Sequence, residues 1–286
     1  MMKKRLWSRW ILALAVVWPF MAAAHDRVRE KENFDFDWKF ILNADDQANA
    51  GMQVSETGWQ DVQLPHDWSI SQNFDPKLSG SNGHLPGGIG WYRKMFRVDK
   101  KDKGRRIAVL FDGIYSRSDV YVNGQHLGFR PYGFCYQEYD LTPYLNYGAE
   151  NVLAVRVNNP LEHDSVARWY TGAGIYRHAW LVKTAEVHVA SYGTYVTTPV
   201  VTAERAEVRV RTSVANEAER TKTLSVRQQI TDGEGRTVVQ SGKQALQVAA
   251  GQTADTEHTL KIPRPQLWDT EHPYLYTLHT AVYDLS

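Results

Sequence analysis

At 286 residues the chain has room for one or two domains with substantial cores, and it shows no internal period of the kind a solenoid requires. Lys and Arg number 33 against 32 Asp and Glu, a balance that makes nucleic acid an unexpected partner. The single cysteine, Cys135, excludes an internal disulfide, so the fold must rest on its core, where Cys135 is expected as a buried small apolar residue.

The first 24 residues read as a secretory leader. "MMKKRLWSRW" is a basic n-region, "ILALAVVWPFM" an apolar h-region, and Ala22 to Ala24 a small-residue cleavage site. An uncleaved membrane anchor competes for this segment, but the apolar run is shorter than the ~20 residues a spanning helix needs. Cleavage after Ala24 and export to the periplasm or the extracellular space are therefore expected, with no membrane association afterwards. Loss of Lys3, Lys4, Arg5 and Arg9 takes four of the 33 basic residues against 32 acidic ones and leaves a net charge of −3. The aromatic content of 12%, with ten Trp, is common in β-sandwiches and carbohydrate binders.

From Trp91 onward, short β segments are punctuated by turns: "WYRKMFRV", "RIAVLF", "SDVYVNGQHLG", "NVLAVRVNN" and "RHAWLVKTAEVHV". Val120 and Val122 alternate with Tyr121, and Asn123-Gly124 supplies the positive φ angles of a type I′ hairpin. Strands without intervening amphipathic helices predict an all-β, two-sheet jelly roll over residues 25–186. The stretches Gln60 to Gly90 and Pro160 to Gly174 lack alternation and read as long loops, which are uncommon unless functional.

After Glu186 the texture changes to a beat rich in Thr, Val, Glu and Arg, which predicts a second all-β domain over residues 187–286. About six strands can be counted, beginning with Tyr195 to Val201, where an immunoglobulin-like sandwich of constant type has about seven. The domain is thus expected to stop one strand short. Its last strand, within "LYTLHTAVYDLS", is expected to be unpaired and open to self-association. A protease-sensitive linker is expected just after Lys183.

The loops of the first domain hold the chemistry. "LPHDWSI" offers His66, Asp67 and Trp68. Gly87 and Gly88 open a segment whose backbone can approach a ligand closely, and "EHDSVARWYTGAGIYR" offers Glu162, His163, Asp164, Arg168 and Trp169. Indole faces pack against the CH faces of a pyranose while charged groups take its hydroxyls, so this is the composition of a sugar site. Structural roles compete at each position. Trp68 can plug the end of the sandwich, Asp67 can cap a turn, and Gly172 and Gly174 can serve left-handed turns. His66 and Asp67 have no serine or cysteine in a nucleophile elbow beside them. With no C-x-x-C, no paired histidines at helical spacing and no phosphate loop, no metal and no cofactor is expected.

The motifs "LPHDW", "GGIGWYRKMF", "SDVYVNGQHLG" followed by "DLTPYL", and "RWYTGAGIYRHAWL", in that order, resemble the N-terminal region of glycoside hydrolase family 2, closest to its bacterial β-galactosidase-type members. "PQLWDTEHPYLYTL" is similar to the immunoglobulin-like domain that follows in that family. The resemblance implies a jelly-roll, galactose-binding-like sugar-binding domain, then this sandwich, then a (β/α)8 barrel that carries both catalytic glutamates. It also implies that loops at Gly87 to Gly90 and Asp164 to Trp169 reach toward the barrel mouth. The substrate-binding candidates are therefore Asp67, Gly87, Gly88, Asp164, Arg168 and Trp169, with no catalytic residue expected in the chain. A barrel needs about 250 residues of alternating strand and helix, and nothing after Glu186 has that pattern. The expected function is the N-terminal portion of a family 2 enzyme, inactive alone and binding carbohydrate weakly. A free-standing exported carbohydrate-binding module is the alternative.

Overall fold

A computed structural model describes residues 29–42, 45–78, 80, 83–160 and 169–285. Among these residues the regular structure is β-strand and short 3-10 turns, arranged as two sandwiches.

The first sandwich contains ten strands: β1 (Glu30–Asn33), β2 (Trp38–Leu42), β3 (Gln60–Val62), β4 (Gly88–Arg97), β5 (Arg105–Phe111), β6 (Ser118–Val122), β7 (Gln125–Arg130), β8 (Gln137–Asp140), β9 (Glu150–Asn159) and β10 (Ala179–Ala185). A six-stranded sheet in the order β3-β2-β4-β9-β6-β7 faces a four-stranded sheet in the order β1-β10-β5-β8. The named pairs within both sheets are antiparallel. The period of two sends Val120, Val122, Val155 and Val157 from one sheet and Ile107, Val109 and Phe111 from the other into one core that also holds Trp38, Phe40, Trp68 and Tyr92. The Asn123-Gly124 turn has φ of 50° and 84°, the geometry a type I′ hairpin requires.

The second sandwich is built from β11 (Val187–Val201), β12 (Arg205–Asn216), β13 (Lys222–Thr231), β14 (Thr237–Gln240), β15 (Gln244–Val248), β16 (Gln252–Pro263) and β17 (Thr277–Asp284). One sheet has the order β11-β12-β16. In the other, β13 pairs β14 and β15 along its length and also pairs β17. Its apolar interior is in two parts, one around Val210, Ile230 and Leu260 and one around Val214, Leu224 and Val226. Buried polar side chains lie between them in register. Gln228 donates to Thr212 Oγ1 at 2.9 Å and accepts from Thr280 at 2.7 Å, while Thr256 and His258 are also buried.

Five expectations are corrected. The second sandwich has seven strands rather than six, because Gln244–Val248 is a separate strand; its first strand, β11, also begins eight residues before Tyr195. The last strand is not unpaired: β17 pairs with β13 from Leu224↔Asp284 to Thr231↔Thr277, and only its outer edge lacks a neighbouring strand among the described residues. No linker follows Lys183, which lies inside β10 opposite both Glu30 and Ile107. Cys135 is half-buried on the β7–β8 loop rather than in the core, its Sγ 3.6 Å from the Tyr132 carbonyl. The stretch read as a loop from Gln60 to Gly90 carries β3, a 3-10 turn at Ser69–Ser71 and the start of β4 at its ends and middle.

Candidate functional site

The loops singled out in the sequence meet at one end of the first sandwich. The backbone of residues 173–175 runs between two other segments there. His66 N donates to Ile175 O at 2.8 Å and Trp68 N to Ala173 O at 3.1 Å, while Tyr115 and Gly174 exchange backbone bonds of 2.9 and 2.8 Å on the other side. The segment is sequestered at Ala173 and Ile175, so pairing its amides on both sides removes a desolvation cost of about 1–3 kcal/mol per group.

Asp67 is the hub of this end. Its Oδ1 accepts from Ser69 N and from Ala173 N, both at 2.9 Å, and its Oδ2 accepts from the Tyr170 hydroxyl at 2.6 Å. The carboxylate thus caps its own turn, as the structural reading allows, and also ties that turn to a loop 106 residues further on. Gly172 and Gly174 have φ of 69° and 125°. A Cβ on Gly174 would lie 2.6 Å from the His66 carbonyl oxygen, so only glycine lets these backbones meet.

Trp68 is fully buried and stacks on Phe40, with ring centroids 5.5 Å apart and planes at 19°; it plugs the sandwich end. His66 Nδ1 lies 2.7 Å from the Tyr92 hydroxyl, so its imidazole is engaged with Tyr92 rather than poised as a hydrolytic dyad with Asp67. Burial lowers the pKa of His66 and raises those of Tyr92 and Tyr170, the last reinforced by its bond to Asp67. Near neutral pH the imidazole and both phenols are therefore uncharged.

Gly87 is buried and Gly88 half-buried. Both sit beside this cluster: Ser69 Oγ donates to Pro86 O at 2.8 Å, Gly88 pairs with Asn159 across β4 and β9, and Asn159 Nδ2 donates to Gly172 O at 3.1 Å. Trp169 is 61% exposed and its ring lies 6.4 Å from that of Phe134. The structure therefore brings together the loops of Asp67, Gly87, Gly88 and Trp169. Asp164 and Arg168, with Glu162 and His163, lie outside the described residues.

Sequence reasoning missed the aromatic half of this end. Phe134 is ringed by Tyr115, Tyr132, Trp169 and Tyr176 at centroid distances of 5.1 to 6.4 Å, and the Tyr176 hydroxyl donates to Gly133 O at 3.0 Å. The signal was present in "RPYGFCY", where aromatics, a proline and a glycine crowd a strand connection. Exposed rings beside a carboxylate and neutral hydroxyls suit a ligand with both apolar faces and hydroxyl edges.

Residues 32–185 match the family described as "Glycosyl hydrolases family 2, sugar binding domain", and residues 187–285 match "Glycosyl hydrolases family 2". A beta-galactosidase of Bacteroides ovatus is 44% identical over 257 residues, covering 89% of this chain and 30% of that protein. A beta-glucuronidase of Formosa agariphila is 33% identical, covering 89% of this chain and 28% of that protein. Among solved structures, a glycosyl hydrolase family 2 member from Bacteroides cellulosilyticus superposes with a TM-score of 0.80 at 37% identity, covering 88% of this chain and 33% of that one. The chain thus spans about a third of the length of these relatives. With both sandwiches matched in order along nearly all of the described residues, the chain belongs to glycoside hydrolase family 2.

Proposed function

We propose that the chain is the N-terminal, sugar-binding portion of an exported, β-galactosidase-like family 2 glycoside hydrolase. In this reading its loop end forms one wall of a sugar subsite, and the paired catalytic carboxylates belong to a part of the enzyme outside these residues. The observation that carries it is the cluster in which Asp67 locks the His66–Ser69 turn to the Tyr170–Ala173 loop beside exposed Trp169. Retaining hydrolysis requires two carboxyl groups about 5 Å apart, one acid and one nucleophile. At this end Asp67 is committed to three protein donors. The basic, then apolar, then small-residue pattern of the first 24 residues supports export.

The test is two measurements on the purified chain. No turnover of aryl β-galactosides or β-glucuronides is expected, and galactose should bind only weakly because one wall leaves most of a ligand wet. The weak binding should shift the Trp169 indole resonance. Turnover abolished by mutating an acidic residue of this chain would overturn the proposal. Micromolar galactose affinity would favour a free-standing binding module.

A further inference from the structure

We propose that Tyr192, a residue of the second sandwich, is a positioning residue for the loop end of the first. A bulge in β11 carries its ring across the junction onto Tyr136 and so fixes the aromatic loop that bears Tyr132 and Phe134. The proposal rests on the sugar-wall reading above and adds to that wall a support from the neighbouring sandwich.

The bulge is built into the strand. Between the pairs Val189↔Val214 and Thr194↔Thr212, five steps along β11 face two along β12, so three residues are left over and leave the ladder. Tyr192 lies among them with a φ of 52°, a left-handed conformation that a bulky residue keeps only where its surroundings impose it. Gly193 closes the bulge, since a Cβ there would lie 2.8 Å from the carbonyl oxygens of both Ala190 and Ser213.

The bulge meets a face of the first sandwich that is shaped for contact. Ile107, Val109 and Phe111 of β5 enter the core, so Arg106, Ala108 and Leu110 point to the opposite side, where Ala108 and Leu110 are nonetheless buried. Glu138 lies opposite Leu110 in the β5–β8 pair and accepts from Ser191. Tyr136, two residues before Glu138, meets Tyr192 with ring centroids 4.3 Å apart and planes at 35°. Adjacent residues of the bulge thus engage residues two apart at the start of β8, which is the spacing of one strand face. Arg106 ties the same face to Glu217 of the second sandwich at 3.0 Å, and Arg29 donates to the Val189 carbonyl at the base of the bulge.

The contact reaches the loop end through a short path. The Tyr176 hydroxyl holds the loop at Gly133, and Tyr192 holds it at Tyr136. Phe134 lies between these two anchors, with its ring 6.4 Å from Trp169 and 5.8 Å from Tyr132. Anchored at both points, the loop presents Phe134 beside Trp169 before a sugar arrives, and less conformational freedom is lost on binding.

The test compares the purified chain with Tyr192→Ala and Tyr192→Phe by NMR, reading backbone order parameters at residues 132–136 and the Trp169 indole shift during a galactose titration. Tyr192 is 70% exposed, so the unfolding midpoint should be the same in all three. Tyr192→Ala should lower the order parameters of the loop toward the flexible range and weaken galactose binding by about three- to tenfold, while Tyr192→Phe, which keeps the ring, should match the parent in both. Unchanged loop order in Tyr192→Ala would overturn the proposal, as would a loosened loop with unchanged galactose affinity. A parent chain that binds no galactose would remove the sugar-wall reading instead; loop order lost in Tyr192→Ala and kept in Tyr192→Phe would still support the brace.

Discussion

Asp67→Ala is the sharpest perturbation of the loop end. It strips the acceptor from two backbone amides, Ser69 N and Ala173 N, on residues with no exposed surface, and from the Tyr170 hydroxyl, which is on a partly exposed side chain. Each buried amide left without a partner costs about 1–3 kcal/mol, and the phenol regains water at little cost. The expected loss is about 4 kcal/mol. With a urea dependence of about 2 kcal/mol per molar, this moves the unfolding midpoint down by about 2 M. Asp67→Asn behaves differently, because its carbonyl oxygen can still accept from both amides while its amide N–H donates to the Tyr170 oxygen; its cost should be about 1 kcal/mol. Tryptophan fluorescence reports the right unit, since Trp268 is the one tryptophan of the second sandwich. Equal midpoints for Asp67→Ala and the parent would refute the clamp. An Asn variant as unstable as the Ala variant would show that the charge, not the acceptor geometry, is what matters.

Other expectations can be checked alongside. A Cβ on Gly90 would lie 2.7 Å from Phe40 and 2.8 Å from Trp68, so Gly90→Ala should cost about 1–3 kcal/mol and weaken the near-UV circular dichroism of the stacked pair; an unchanged spectrum and midpoint would contradict the close packing. Burial holds His258 below the usual histidine pKa of about 6.5, so the unfolded chain takes up the proton first. That contribution to stability is complete above about pH 6.5 and is lost as pH falls below it. His258→Leu should therefore flatten the pH dependence of unfolding between pH 7 and 5, and an identical slope would discount the histidine. The outer edge of β17, which has no neighbouring strand among the described residues, should allow concentration-dependent self-association of this chain, weakened by Ala281→Lys because like charges oppose across a new strand pair; sedimentation showing only monomer at high concentration would rule this out.

What could be read in the sequence follows from where the physical signal is local. The Asn123-Gly124 hairpin and the alternation of β12 are carried by neighbouring residues. By contrast, β1 has four exposed side chains and no apolar alternation to reveal it, and β8 is four residues long. The polar band of the second sandwich places Thr212, Gln228 and His258 at inward positions of otherwise apolar strands, and only their register shows that they share one layer. At the loop end, Asp67 and Trp68 could be singled out by type. The Tyr170 hydroxyl that completes the clamp lies 103 residues away in sequence, a pairing that no spacing rule supplies.

The absence of a linker changes how the two sandwiches relate. Glu186 alone separates β10 from β11, and Lys183, where a flexible joint was expected, is bonded to Glu32 at 2.8 Å and to Asp102 at 3.2 Å. Across the junction Arg106 reaches Glu138 of its own sandwich at 2.8 Å and Glu217 of the next at 3.0 Å. Ser191 donates to Glu138, and Tyr192 packs on Tyr136 with ring centroids 4.3 Å apart. Tyr136 belongs to the same short loop as Tyr132 and Phe134, whose other side is fixed by the bond from Tyr176 to Gly133. That loop is gripped from both sides, by the first sandwich through Tyr176 and by the second through Tyr192. In the sugar-wall reading proposed above, ordering it in advance lowers the entropy lost on binding, and the second sandwich braces an aromatic loop it does not itself contain.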